Sequence, residues 1–296
     1  METNLICTIC NNPTFQCSCD TSLVHFENIL KSSCQGKLIE DTVDYTSLNI
    51  STMTVCFNFN QFIDLKLLKQ QLPERLTVSY SPNSKKSKIP KKKGTDSFYN
   101  SFDIKFTMKD HKTGVYSNIS VFIFPNGKGK ASGSKTINTI YTLMDELMDI
   151  VTYVPDCVED VKALKIENIK IQMICSDFKI KPVKPDPDGW CIKQEELKNI
   201  LVNDYKVSAT FSALSRYPGI NLKVESIVEP GKQISLLIFR SGSIIITGGK
   251  NAKDVANCYC FITDIITKRH KQLFYYDINE EIKQKKKKNK INGLSN

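Results

Sequence analysis

Two stretches of this chain align on each other without a gap, and this duplication constrains the fold more than any bulk property does. Ser235-Leu-Leu-Ile-Phe-Arg-Ser-Gly-Ser-Ile-Ile-Ile-Thr-Gly-Gly-Lys250 reads as two strands, a tight turn between them and the start of a helix. Ser120-Val-Phe-Ile-Phe-Pro-Asn-Gly-Lys-Gly-Lys-Ala-Ser-Gly-Ser-Lys135 repeats it. Ser120, Ile123, Phe124, Gly127, Gly133 and Lys135 are identical to Ser235, Ile238, Phe239, Gly242, Gly248 and Lys250. Two copies of one supersecondary unit imply a duplicated, pseudo-twofold architecture rather than two unrelated domains. In the second copy Leu236, Ile238, Ile244 and Ile246 form one alternating set, and Leu237, Phe239, Ile245 and Thr247 the other. Both faces are apolar, so each must meet something.

The duplication extends on both sides. Asn49-Ile-Ser-Thr-Met-Thr-Val-Cys-Phe-Asn-Phe59 resembles Asn168-Ile-Lys-Ile-Gln-Met-Ile-Cys-Ser-Asp-Phe178, and both read as strands. A helix-period segment follows each, at about 62–72 and about 192–203, with Ile63, Leu68 and Leu72 matching Ile192, Leu197 and Leu201. After the hairpins come longer helices, from about Lys135 to Tyr153 and about Asn251 to Lys268. The stripe Ile137, Ile140, Tyr141, Met144, Leu147, Met148 and Val151 marks one buried helical face, more a core than a cofactor box. The order is strand, helix, several strands, helix, taken twice. It divides the chain into a cysteine-rich extension over 1–47, repeats over 48–155 and 156–270, and a basic tail over 271–296 that is expected to be disordered.

Composition narrows the function. Hydrophobic residues make up 41% of the 296, enough for a real core, and the formal charge of +10 points to a polyanionic partner. Lysine supplies nearly all of it, since the only arginines are Arg75, Arg216, Arg240 and Arg269; that skew, with many Asn and Ile, reflects an AT-rich coding genome more than a binding preference. The lysine runs Lys85–Gly94 and Lys285–Lys288 are solvated segments. For the first, a plain loop, a phosphate contact and a nuclear localisation signal all fit. No apolar run is long enough to cross a membrane and the start lacks signal-peptide character, so an intracellular protein with no membrane partner is expected. The 11 cysteines sit mostly singly in apolar patterns, as reduced core thiols do. Cys7, Cys10, Cys17 and Cys19 are the exception. With His25 nearby they are compatible with a small zinc knuckle, although the second pair is one residue short of the usual spacing. The other reading is a cysteine-rich extension that caps the domain, and no cofactor is expected elsewhere.

Enzyme chemistry is not expected. Gly127-Lys-Gly-Lys-Ala-Ser-Gly-Ser-Lys-Thr136 is rich in glycine, but Ser134 intervenes where a phosphate loop needs lysine directly after the last glycine. His25, His111 and His270 form no nucleophile or metal triad in the sequence pattern.

Taken in order, these pieces resemble the TATA-box-binding protein over residues about 48–270. Tyr217-Pro-Gly-Ile220 resembles that family's Phe-Pro-Gly-Leu, Leu236-Leu-Ile-Phe-Arg-Ser-Gly242 its Leu-Leu-Ile-Phe-x-Ser-Gly, and Thr247-Gly-Gly-Lys250 its Thr-Gly-Ala-Lys. The divergence, the lysine skew and the extra arm suggest a lineage outside the common eukaryotic one, such as a large DNA virus. The resemblance implies an α+β saddle: one curved antiparallel sheet built from both repeats, with helices on its convex face and AT-rich double-stranded DNA beneath the concave one. Minor-groove wedging of this type unstacks base steps and bends the duplex, and flexible steps lower the cost of the distortion. The resemblance also implies a general transcription factor IIB-like partner, an RNA polymerase, a monomer on DNA, and a location in the nucleus, or in a viral factory or virion.

Site residues follow by position. Asn49 and Asn168 match an Asn on the first strand of each family repeat, while Thr247 and Ser132 match a hydroxyl before the glycine turn. Amide and hydroxyl donors suit the acceptors that A·T pairs show in the minor groove. Phe124, Phe239 and Tyr217 match wedge residues, Leu237 and Ile245 lie on the same face, and Lys128, Lys130 and Lys223 are basic candidates there. Phe102 stands as far before Phe124 as Tyr217 does before Phe239, which nominates it as the fourth wedge. Alternation opposes this, because Phe102, Ile104, Phe106 and Met108 form an apolar set that belongs in the core; Phe98 or Tyr99 would then be the wedge, if there is one. Lys130 and Lys170 replace apolar residues of the family's concave face, which predicts looser TATA preference and steeper salt dependence. Ser212–Arg216 replaces the acidic residues at which factor IIB docks, and Asp145, Glu146 and Asp149 make a usually basic helix acidic.

Overall fold

The structure, a computed structural model, describes residues 26–39, 43–72, 78–80, 100–182, 189–215 and 218–292. In chain order its first elements are α1 (Phe26–Ser33), β1 (Lys37–Ile39), β2 (Val43–Tyr45), β3 (Asn49–Phe59), α2 (Leu65–Gln71), β4 (Val78–Tyr80), β5 (Phe102–Lys109), β6 (Tyr116–Ile123), β7 (Lys128–Ser134) and α3 (Ile137–Tyr153). The second series is β8 (Ile166–Pro182), β9 (Trp190–Ile192), α4 (Gln194–Asn203), β10 (Ser208–Thr210), β11 (Gly219–Glu225), β12 (Gln233–Phe239), β13 (Ser243–Gly249), α5 (Ala252–Leu273), β14 (Phe274–Tyr276) and α6 (Ile278–Asn292). The chain forms two compact units, Ser51–Met173 and Met1–Ile50 with Ile174–Asn296.

Each unit is α+β, with antiparallel strands and helices on one side of them. In the first, β3, β7, β6, β5 and β4 pair in that order, and α3 packs on β7. In the other, the order is β8, β13, β12, β11 and β10; α5 packs on β12 and β13, and α4 on β10 and β11. Alternation decides which side chains face the helices. Ile234, Leu236 and Ile238 on β12 and Ile244 and Ile246 on β13 are buried, opposite Val255, Cys258, Ile262 and Ile266 of α5.

Turn and cap chemistry repeats with the sequence. Gly127 and Gly242 close the matching hairpins at φ +76° and +80°. A side chain is excluded there on two grounds, the left-handed backbone and the space: a Cβ on Gly242 would stand 1.9 Å from the Ile180 carbonyl oxygen. Thr136 and Asn251 occupy matching N-caps, accepting the amides of Thr139 (3.1 Å) and Asp254 (2.8 Å).

Beside each cap the units hold a buried carboxylate, and they hold it on opposite partners. In the first unit Asp110, in the β5–β6 turn, accepts the Lys112 and Thr113 amides at 2.8 Å each and the Thr136 hydroxyl of the helix cap. In the second the carboxylate is on the helix. Asp254 accepts the Ser226 hydroxyl of the β11–β12 turn (2.8 and 2.9 Å), the Ile227 amide (2.9 Å) and the Asn251 side chain (2.8 Å). Acid and hydroxyl have exchanged places while the bond from turn to helix is kept.

The chain before and after the duplicated regions is folded into the second unit. α1 packs on α5, β2 pairs with the end of β8, and the Tyr259 hydroxyl donates to the carbonyls of Gln35 (3.1 Å) and Thr46 (2.9 Å). The expectation of a disordered tail after residue 270 is corrected. α5 runs on to Leu273, β14 pairs with β9, and α6 follows. The reason is the pairing partner at Trp190–Ile192, which the polar composition of the tail does not reveal. Cys7, Cys10, Cys17, Cys19 and His25 lie outside the described residues, as do Lys85–Gly94, Phe98, Tyr99 and Tyr217.

Burial acts to raise the Asp110 carboxyl, but the Thr136 hydroxyl and the Thr113 and Lys112 amides outweigh it and hold it below the ordinary carboxylate value. Asp110→Asn is therefore expected to cost roughly 1–3 kcal/mol at neutral pH. Because the folded carboxyl titrates below the unfolded one, its stabilisation is full above about pH 4 and is lost as pH falls through the folded value. Urea titrations at pH 7 and pH 3 should show a smaller acid loss for Asp110→Asn than for wild type.

Candidate nucleic-acid interface

The strands of each unit turn a second face away from the helices. In the unit containing β8–β13 this face is built in rows across neighbouring strands. Ser208, Lys223, Ser235, Thr247 and Cys175 form one row, and Thr210, Asn221, Leu237, Ile245 and Asp177 the next. Phe239 stands at the end of β12, opposite Gly219, and its ring lies where a Cβ on Gly219 would be 3.2 Å away. The glycine thus makes room for the ring. Leu237, Phe239 and Ile245 are half-buried, whereas their strand neighbours Leu236, Ile238, Ile244 and Ile246 are fully buried. Apolar groups left at an outward face, ringed by the hydroxyls of Thr247, Ser235 and Thr210, suit a partner that is flat, partly apolar and rich in acceptors.

Electrostatics on this face are mixed. The Lys223 ammonium donates to the Ser235 hydroxyl at 2.6 Å. Asp177 brings a carboxylate into the Leu237 row and accepts from the Asn49 side-chain amide at 3.1 Å. The matched Asn is thereby engaged within the protein, a pairing over 128 residues of sequence that no local pattern shows. Burial raises the Cys175 thiol above its usual range, despite a hydrogen bond with Thr247 that lowers it and with Asp177 adding to the rise.

The outward face of the other unit follows the same register with different chemistry. Asp103, Phe122, Lys130 and Cys56 form one row, and Lys105, Ser120, Ser132 and Thr54 another. Ser132 shares a hydrogen bond with Thr54 at 3.0 Å. Phe124 follows β6 and lines an open cavity of about 560 Å³ with Phe62, Asn100, Lys128 and Lys130. Lys128 is exposed and Lys130 half-buried on this face; Lys170 and Asn168 are exposed, Asn168 with a left-handed φ of +56°.

Phe102 is not on an outward face. It is fully buried with Ile104, Val121 and Ile123, so the spacing argument for a wedge there is corrected in favour of alternation. Two outward residues escaped the sequence reading. Phe122 occupies the position matching Leu237 and follows from the same alternation. Asn221 sits beside Leu237, and its side-chain oxygen has no hydrogen-bond partner among the described residues.

Each unit thus has helices on one side of its strands, and in the unit of β8–β13 the other side is an apolar face ringed by donors, as the resemblance to TATA-box-binding proteins led one to expect. Residues 197–269 match the family described as transcription factor TFIID, or TATA-binding protein. A TATA-box-binding protein-like protein of Acanthamoeba polyphaga mimivirus is 24% identical over 269 residues, covering 80% of this chain and 70% of the relative. Among solved structures, the TATA-binding protein of Methanococcus jannaschii aligns with a TM-score of 0.46 at 17% identity, covering 75% of this chain and 98% of that one. The chain thus resembles the TATA-binding-protein family, with the family match itself confined to residues 197–269.

The two faces of β12 can be told apart by truncation. Leu236→Ala empties a fully buried site and is expected to cost roughly 2–5 kcal/mol, whereas Leu237→Ala, on the outward face, should cost well under half of that. Urea unfolding of the two variants measures the difference, and equal losses would mean that the outward face is packed as a second core.

Proposed function

We propose that this protein binds AT-rich promoter DNA through the minor groove and bends it, without catalysis, as an early step in transcription initiation. The observation that carries the reading is the outward face of β11–β13. Phe239, Leu237 and Ile245 stand there half-exposed, with Thr247, Ser235, Asn221 and Lys223 around them. An apolar ring at a strand end is suited to entering an opened base step, and hydroxyl and amide groups to the acceptors of A·T pairs. Lys128, Lys130 and Lys223 would contact phosphates, and Phe124 would serve as the wedge of the other repeat. Ser132 and Asn168 would supply further donors, and Asn49 would do so once released from Asp177. Tyr217 keeps its proposed role as a second wedge by resemblance alone. The protein partners would be a factor IIB-like protein and an RNA polymerase, and the site of action a nucleus or viral factory.

A second reading has its own observation. Asn49 is held by Asp177, and Lys130 lies in the row of Phe122, so a face built for a protein partner without bending is compatible with the same geometry. Mobility shift combined with fluorescence-detected bending separates the two on TATA-containing and scrambled duplexes. Burying the Phe239 ring is worth about 1.5–3 kcal/mol, so Phe239→Ala is expected to lose roughly tenfold to a hundredfold in affinity, together with most of the bend. Asp177→Ala, which removes a repelling carboxylate and frees Asn49, is expected to bind more tightly at low salt. Equal affinity for both duplexes, with no bend on either, would favour the protein-partner reading.

A further inference from the structure

The carboxyl-terminal helix is more than a flexible basic tether. α6 carries lysine at 283, 285, 286, 287, 288 and 290, and the sequence has no acidic residue after Glu281. Its root is fixed in the fold. β14 pairs with β9 through Phe274–Tyr276, the Trp190 and Tyr276 rings meet edge to face with centroids 5.8 Å apart, and the Asp277 amide donates to the Gly189 carbonyl at 2.8 Å. Arg240 closes the attachment. Its guanidinium donates to the Tyr275 hydroxyl at 2.7 Å, pairs with Asp277, and reaches Glu280 at 3.5 Å. Its own carbonyl accepts the Ile192 amide at 2.7 Å. Arg240 directly follows Phe239, so the helix is anchored one residue from the ring proposed to enter the groove.

The acids of the first turn are used up at this root. Glu280 is shared by Arg240 and Lys283, and Glu281 is taken by Lys285 and the Tyr276 hydroxyl. Beyond them the sequence sets Lys283 against Lys287 and Lys286 against Lys290, like-charge pairs at the four-residue spacing that weakens a helix. A polyanion alongside would relieve that repulsion. A helix of 15 residues spans about 22 Å, roughly six base pairs of duplex at 3.4 Å each.

We propose that α6 is a rooted cationic arm that contacts the phosphates of the same DNA, flanking the end entered by Phe239 and lengthening the footprint on that side. This rests on the reading of the outward strand face as a duplex-binding surface. Hydroxyl-radical footprinting and salt titration of binding on a TATA-containing duplex test it, using full-length wild type, a variant with all six lysines changed to Gln, Arg240→Gln and Phe239→Ala. The six-Gln variant should lose protection over about six base pairs at one end. Its plot of log affinity against log salt should become shallower by about 2–4, at about 0.9 for each phosphate no longer neutralised. Arg240→Gln keeps the lysines but loosens the root, so protection at that end should become diffuse while the slope falls by less. Phe239→Ala should lose the bend and retain the arm's share of the salt dependence. Unchanged protection and slope in the six-Gln variant, with Phe239→Ala still losing its bend, would overturn the arm and leave the strand-face reading standing. A wild type that retards no duplex would overturn both.

Discussion

The burial of Leu236, Ile238, Ile244 and Ile246 against α5, and of Val121, Ile123 and Ala131 on the helix side of the other repeat, is the contact on which the rest of the architecture depends. Each strand side chain has a neighbour on the opposite face, so fixing the inward set also fixes which residues are presented outward. Leu237, Phe239 and Ile245 lie half-exposed because Leu236, Ile238 and Ile244 are not. The hairpin glycines and the Thr136 and Asn251 caps hold this register by ending the strands and starting the helices at matching points.

The two units keep the inward chemistry alike and let the outward chemistry diverge. On the β12–β13 hairpin the outward row pairs Leu237 with Ile245, whereas the equivalent row of the other unit pairs Phe122 with Lys130. One outward surface is apolar and the other combines apolar and cationic groups. An ammonium pressed into an apolar contact is costly to desolvate, so under the proposed DNA-binding reading this asymmetry would weaken sequence discrimination in one half. The exchanged carboxylates, Asp110 on a turn and Asp254 on a helix, show the same freedom inside the structure: the constraint is one satisfied bond between turn and helix, whichever side supplies the acid.

Much of this is legible in the sequence because it is local. The inward and outward sets of β12 and β13 follow from period-two alternation, and the helices from their apolar stripes and cap residues. Alternation also places Phe102 in the core, against a spacing argument that nominates it as a wedge, since the face of a strand and not distance along the chain decides burial. Asn49 is legible as a polar strand residue but not as the partner of Asp177. The ordered tail is hidden for a related reason: lysine-rich composition describes solvation, and it does not reveal that Trp190–Ile192 offers a strand edge to Phe274–Tyr276.

By itself the sequence determined that the chain is duplicated, that each copy alternates strands with two helices, which side chains share a strand face, and where glycine must turn the chain. Spacing along the backbone is sufficient for all of these, because periods of two and 3.6 residues are properties of the local chain. Only the tertiary structure decided that Asp177 occupies the Asn49 amide, that Tyr259 ties residues 35 and 46 to α5, and that Arg240 roots the terminal helix beside Phe239. These pairings join segments far apart in sequence, so they depend on strand register and on the order in which the strands are laid down, and no local period encodes either.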